Sequence, residues 1–236
     1  MSLKRLPQHR ALPRENYWIP HQLGLAASVK LARLAMRLDG GLIIRGYEHL
    51  QAMRGHRVIL VSNHISDVDP GYMAVSAYPF WCWYMAKEEL FRIPLLAGFC
   101  RMVRGFPVVR GAVDRIAIRF AEERLERDEA LLIFPEGRVN WNPDCMHPFQ
   151  EGLAMFALHT NSPVIPVSIC GTNRVWPYGK FFPRWTKLPV RVTFGAPLTF
   201  DHLTGPRRTK MRTILTEVRA AIERMQSEQR AMEQGE

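Results

Sequence analysis

The 236-residue sequence has no run of about 20 consecutive apolar residues, the length a helix needs to cross a bilayer. Its most apolar early stretch, Tyr17 to Leu38, is interrupted by Pro20, His21, Lys30, Arg33 and Arg37, so no membrane crossing is expected there. No secretory signal is expected either. The first 20 residues carry Lys4, Arg5, Arg10, Arg14 and three prolines, with neither an apolar segment nor a small-residue cleavage site. Cysteine is scarce: Cys82, Cys100, Cys145 and Cys170 form no C-x-x-C pair, which argues against a zinc site or disulfide scaffold and for reduced cytoplasmic thiols. No metal and no resident cofactor are expected. Internal repeats and low-complexity stretches are also lacking.

Positive charge is present in excess. The 32 basic side chains, 26 of them arginine and 6 lysine, outnumber 22 acidic ones for a net charge of +10, and the isoelectric point is near 9.9. Such a balance bears on partners, not on fold, and favours nucleic acid, an anionic membrane surface or a phosphorylated substrate. The remaining composition, 47% hydrophobic and 23% charged with a mean hydropathy of −0.15, is that of a globular chain, not a disordered or multispanning one.

At helical spacing, Leu23, Ala27, Leu31, Leu34 and Leu38 line one side of an N-terminal helix, while Lys30, Arg33 and Arg37 line another. Two readings fit: a surface helix packed on its own domain, or a helix lying among lipid headgroups with its arginines drawn to anionic lipid. Tyr17 and Trp18 favour the second, since aromatics prefer the membrane interface.

After Gly40-Gly41 short apolar runs alternate with helical patterns. Strands are expected at 42–45, 58–62, 81–85, 106–109, 131–134, 164–169 and 190–194, and helices at 71–77, 94–103, 114–127, 153–160 and 207–229. The alternation predicts an α/β fold with a mixed, mostly parallel sheet flanked by helices. In the 114–127 helix Asp114 is the expected cap, Ile116, Ala117, Phe120 and Ala121 the buried stripe, and Arg124 part of the solvated face. Residues 226–236 are expected to fray.

Chemistry concentrates where strands end. The apolar run Val58 to Val61 empties into Ser62-Asn-His-Ile-Ser-Asp-Val-Asp-Pro70, with His64 and Asp69 five positions apart. In α/β sheets, ligands bind where strands deliver such turns. An imidazole is suited to removing a hydroxyl proton near neutral pH, and a carboxylate on its other nitrogen fixes the tautomer. Asp67 is the competing partner, and Asp69 before Pro70 also reads as a helix cap. A second strand, Ala130 to Phe134, ends in Glu136, Gly137 and Arg138. There Gly137 admits an anionic group to the backbone and Arg138 offers a two-pronged phosphate contact. Arg110 and Lys87 also stand at strand exits.

Asn63-His64 with Asp69, the Phe106 to Arg110 block, Phe134-Pro-Glu-Gly137 and Val164-Ile-Pro-Val167, in this order, resemble the four blocks of the glycerolipid acyltransferase family. The likeness runs from about Val58 to Gly171 and includes Phe149-Gln-Glu-Gly152. The resemblance implies transfer of an acyl group from acyl-CoA or acyl carrier protein to the hydroxyl of a lysophospholipid, such as 1-acylglycerol-3-phosphate. It makes His64 the general base and Asp69 its orienter, places Arg110, Arg138 and Lys87 at the acceptor's phosphate, and has Glu136 and Gly137 shape the acceptor site. The sequence pattern divides the chain into a basic arm with an amphipathic membrane-surface helix, residues 1–40, and an acyltransferase domain, residues 41–236, and because such an acceptor and its product reside in the bilayer, a peripheral position on the cytoplasmic face of the cell membrane is expected.

One departure stands out. Phosphatidate-forming members of the family commonly continue Gly-Thr-Arg, whereas here Gly137 is followed by Arg138, Val139 and Asn140, which keeps an aminolipid or glycolipid acceptor as the alternative. Ser62 and Ser66 flank the histidine, but neither lies in a Gly-x-Ser-x-Gly elbow, so direct transfer without an acyl-enzyme is expected. A non-catalytic lipid-binding protein on the same scaffold is the rival from another class. Nucleic acid is not an expected partner, because no recognised motif accompanies the dispersed arginines.

Overall fold

A computed structural model of the chain describes residues 19–109, 111, 113–180 and 182–235. The basic arm with Tyr17 and Trp18, and also Arg110, lie outside the described residues. Seven strands, β1 (Leu42–Arg45), β2 (Val58–Ser62), β3 (Cys82–Lys87), β4 (Gly105–Val108), β5 (Ala130–Ile133), β6 (Val164–Cys170) and β7 (Val190–Phe194), form one sheet in the order β1-β7-β6-β2-β5-β3-β4. Every neighbouring pair is parallel except β6 and β7. This is the mixed, mostly parallel sheet flanked by helices that the alternating pattern predicts.

Helices cover both faces: α1 (Ile19–Leu38), α2 (Tyr47–Ala52), α3 (Asp69–Ala77) and α4 (Pro94–Met102) on one, α5 (Arg115–Glu126), α6 (Gly152–Thr160) and α8 (Arg207–Gly235) on the other. The central strand β2 has no exposed residue, and its side chains alternate. Val58 and Leu60 join the core under α2 and α3, while Ile59 and Val61 join the core under α5, α6 and α8. Burying each such side chain stabilises the fold by roughly 1.5–3 kcal/mol. A strand held this firmly gives the turn that leaves it a fixed origin.

Three short elements escaped the sequence pattern: α2, the four-residue α7 (Thr172–Val175) and a 3₁₀ turn at Glu88–Arg92. None is long enough to develop helical periodicity. Two details of α5 also differ from expectation. Asp114 caps it through the Ala117 N–H, but Ile116 is exposed, whereas Arg124 is buried with its guanidinium 5.0 Å from the Phe120 ring centroid and 5.7 Å from that of Trp83. Two aromatic faces hold that cation where a solvated arginine was expected.

Helix α8 continues to Gly235, through the stretch expected to fray. Gln229 accepts a hydrogen bond from Ser168 Oγ at 2.6 Å and donates to Thr193 Oγ1 at 2.8 Å. Glu233 pairs with Arg191 at 2.7 Å and Arg174 at 3.0 Å. The hydrogen bond from Arg174, aided by the charges of both arginines, holds the Glu233 carboxyl below its ordinary pKa. These bonds tie the last turns of α8 to the sheet.

Candidate active site

Asn63 and His64 follow β2 directly. Asn63 extends the sheet by side chain: its amide donates to the Ile169 carbonyl at 2.9 Å, and its Oδ1 accepts from the Ile169 N–H at 2.8 Å. The chain then turns so that Asp69, the first residue of α3, faces back toward His64. Asp69 is fully buried, and its Oδ2 accepts from His64 Nδ1 at 2.9 Å, Ile65 N–H at 2.7 Å and Ser66 N–H at 2.9 Å. Asp69 does not cap α3. Its carboxylate is taken by the preceding turn and the imidazole instead, while Asp67 is exposed.

A carboxylate only accepts, so the proton of the His64–Asp69 bond sits on Nδ1 and Nε2 is left as the basic nitrogen. Nε2 has no hydrogen-bond partner among the described residues. Phe134, at the exit of β5, stacks on the imidazole with ring centroids 4.3 Å apart and planes 26° from parallel. The ring is thus fixed by a carboxylate on one edge and an aromatic on one face. Ser66 Oγ donates to the Trp176 carbonyl at 2.8 Å, and Ser62 is fully buried with its hydroxyl on the Asn63 carbonyl. Both serines are committed to structure.

The turn after β5 lies against the same histidine. Glu136 is buried, its Oε1 accepting from the His64 N–H at 3.0 Å and its Oε2 from Asn140 Nδ2 at 2.9 Å and the His147 N–H at 2.8 Å. Gly137 has φ +71°, and a Cβ there would meet Gln150 Cγ at an ordinary 3.5 Å, so the backbone conformation, not space, requires glycine. Arg138 is exposed one residue on. Lys87 is exposed at the end of β3, with β5 between it and the β2 exit. The structure therefore brings His64, Asp69 and Glu136 into one hydrogen-bonded group and leaves Arg138 exposed two residues beyond Glu136 and Lys87 exposed two strands from the β2 exit.

Sequence reasoning missed Asn140 and Phe134 as parts of this group. Asn140 binds the His64 carbonyl through its own N–H at 2.7 Å. The available signal was its place four residues after Glu136 in a turn already singled out. Among the described residues no group of three or more histidine, cysteine or acidic side chains is arranged to hold a metal ion.

The acyltransferase family profile matches residues 41–170, just over half the chain. Named relatives include the 1-acyl-sn-glycerol-3-phosphate acyltransferase of Limnanthes alba, 28% identical over 191 residues, covering 75% of this chain and 64% of the relative. The enzyme of the same name from Streptococcus pneumoniae is 26% identical over 171 residues, covering 72% of this chain and 61% of the relative. The matches thus span a little under two thirds of these relatives. Among solved structures, the 1-acyl-sn-glycerophosphate acyltransferase PlsC of Thermotoga maritima superposes with a TM-score of 0.69 at 27% identity, covering 89% of this chain and 81% of that one. Fold, ordered blocks and profile agree, and the chain belongs to the glycerolipid acyltransferase family.

Proposed function

We propose that this protein transfers an acyl group from a thioester, acyl-CoA or acyl carrier protein, to the free hydroxyl of 1-acylglycerol-3-phosphate, giving phosphatidate. The observation that carries the reading is the buried His64–Asp69 pair, 2.9 Å apart, with Nε2 unpaired among the described residues at the exit of the central strand. In the reaction His64 Nε2 takes the proton of the attacking hydroxyl as its oxygen bonds to the thioester carbonyl carbon. The C–S bond then breaks, and the imidazolium returns the proton to the departing thiolate. Asp69 holds the ring and stabilises its charged form. Arg138 and Lys87, both exposed where strands of the sheet end, and Arg110 would supply cations for the acceptor's phosphate.

The test is product formation. Purified protein with labelled acyl-CoA, or acyl carrier protein, and a panel of lysolipids is expected to give a diacyl product only when the acceptor bears a phosphomonoester. Equal or better turnover of an aminolipid or glycolipid acceptor overturns the headgroup assignment, and vesicle binding without turnover supports the non-catalytic rival.

We further infer that the protein works as a peripheral protein on the cytoplasmic face of the cell membrane, with the site end of the sheet turned to the bilayer. No helix among the described residues is long and apolar enough to cross a membrane. On α1, Leu31, Leu34 and Leu38 are 68%, 54% and 68% exposed, whereas Val29 is buried and Arg33 donates to the Val75 carbonyl. The leucine stripe is therefore the face left open. The end of α1 reaches the apolar loop bearing exposed Trp185 and Leu188, because Asp39 Oδ1 accepts from Thr186 N–H and Lys187 N–H. Trp176, at the start of that loop, binds Ser66 beside the catalytic pair. Exposed Lys30, Arg37, Arg184 and Lys187 add cations for anionic headgroups. Replacing Leu34 and Leu38 by alanine is expected to weaken binding to anionic phosphatidylglycerol vesicles by about tenfold, a loss of about 1.4 kcal/mol. Co-sedimentation reads it, and unchanged binding rejects the leucine stripe as the membrane contact.

A further inference from the structure

Both main-chain polar groups of His64 are held by one short turn. Its N–H donates to Glu136 Oε1 at 3.0 Å, and its carbonyl accepts from the Asn140 N–H at 2.7 Å. Glu136 is 3% exposed and Asn140 is 2% exposed. The second carboxylate oxygen of Glu136 accepts from Asn140 Nδ2 and from the His147 N–H, and Asn140 is fixed in turn by the Cys145 carbonyl and the Asn142 N–H. The same strap is anchored from outside by α8, where Arg219 donates to the carbonyls of Met146 and His147 and Arg230 pairs with Asp144.

We infer that Glu136 is a positioning residue that sets the main chain of His64, with Asn140 as its partner, and that its carboxylate does not touch the acceptor. Three N–H donors converge on its two oxygens, one from the histidine itself and two from the strap. With so little exposure, nothing of the carboxylate is left to face a substrate. Asp69 and Phe134 orient the imidazole relative to its own backbone, whereas Glu136 and Asn140 orient that backbone relative to the sheet. Together they fix where Nε2 stands.

Glutamine at position 136 has the same shape but one oxygen fewer. Whichever way the amide turns, an NH₂ group meets a buried N–H donor, so either the histidine or the strap must move. This inference rests on His64 acting as the base. With 1-acylglycerol-3-phosphate and acyl-CoA as probes, Glu136→Gln and Asn140→Ala are expected to lower kcat by about 10- to 100-fold, as sub-ångström to ångström misplacement does, with each KM within about twofold of wild type.

In protein labelled with ¹⁵N-histidine, the His64 amide proton is expected far downfield and slow to exchange in the wild type, and shifted upfield and faster in Glu136→Gln. A tenfold rise in the acceptor KM with kcat retained overturns the inference in favour of direct acceptor contact. Folded variants with wild-type kinetics overturn it as well. If neither variant folds, the wild-type amide decides: an ordinary shift with rapid exchange rejects the bond. A wild-type protein that acylates no lysolipid would defeat the proposed function instead, and the amide measurement would still judge the positioning role.

Discussion

Truncating His64 to alanine is expected to lower the rate of acyl transfer by about 10²- to 10⁴-fold, the contribution typical of a positioned general base, while the protein stays folded. The bonds that hold this part of the chain in place go to the histidine's N–H and carbonyl, from Glu136 and Asn140, and survive loss of the side chain. Asp69 loses one of three donors but keeps Ile65 N–H and Ser66 N–H. The stability cost is therefore the stacking on Phe134 and one hydrogen bond, on the order of 1–3 kcal/mol. Turnover of labelled thioester and a thermal melt separate the two effects. Residual product at the wild-type rate in a folded variant would remove His64 from the chemistry, and neither serine beside it stands ready to replace it: Ser62 is buried and Ser66 is tied to Trp176.

The strand-and-turn framework was legible because its signals are local. The run Val58 to Val61 is apolar on both faces, as a central parallel strand must be, and all seven strands lie within two residues of the positions read from hydrophobic runs. His64 with Asp69 was legible for the same reason, since five residues of one turn bring the two together. Glu136 was legible as a polar residue at a strand exit, but not in the direction its carboxylate takes. Whether a carboxylate at a strand exit turns to solvent or back into the fold depends on what donors the neighbouring turn offers. His64 lies 72 positions away, and local pattern carries no information about that approach.

The N-terminal helix illustrates a different limit. Its sequence contains two apolar lines, Val29 and Met36 on one side and Leu31, Leu34 and Leu38 on the other, and periodicity ranks the leucine line first. The structure packs the weaker line. Val29 is buried, Met36 is half-buried, and Arg33 lies between them with its guanidinium 5.7 Å from the centroid of the Tyr78 ring and a bond to the Val75 carbonyl. An arginine that meets helix-end carbonyls and an aromatic face can stand at an inner position where spacing alone would assign it to water. Which stripe a helix buries is decided by what its neighbours present, and that is a tertiary fact.

Asp69 offers the sharpest test of how the pair works, because its two oxygens differ. Oδ2 takes three donors, whereas Oδ1 is buried with no hydrogen-bond partner among the described residues. In Asp69→Asn the carbonyl oxygen is expected to occupy the three-donor place, since an NH₂ group there would face three N–H groups, and the amide nitrogen falls where Oδ1 was. The Nδ1–H tautomer of His64 is then preserved and only the charge is lost. The expected fall in kcat is about 10²-fold, less than the roughly 10⁴-fold seen when an asparagine forces the wrong tautomer in a triad. Asp69→Ala removes the acceptor altogether, freeing the ring and leaving the Ile65 and Ser66 N–H groups buried and unpaired. The drop in kcat should then reach about 10³- to 10⁴-fold, and stability should fall by about 2–5 kcal/mol, the cost of two orphaned donors. Steady-state turnover and thermal melts of the two variants check the ordering. Equal losses in both would mean that charge, not orientation, is what Asp69 gives to His64; a greater loss in the asparagine variant would mean that its amide turned the other way.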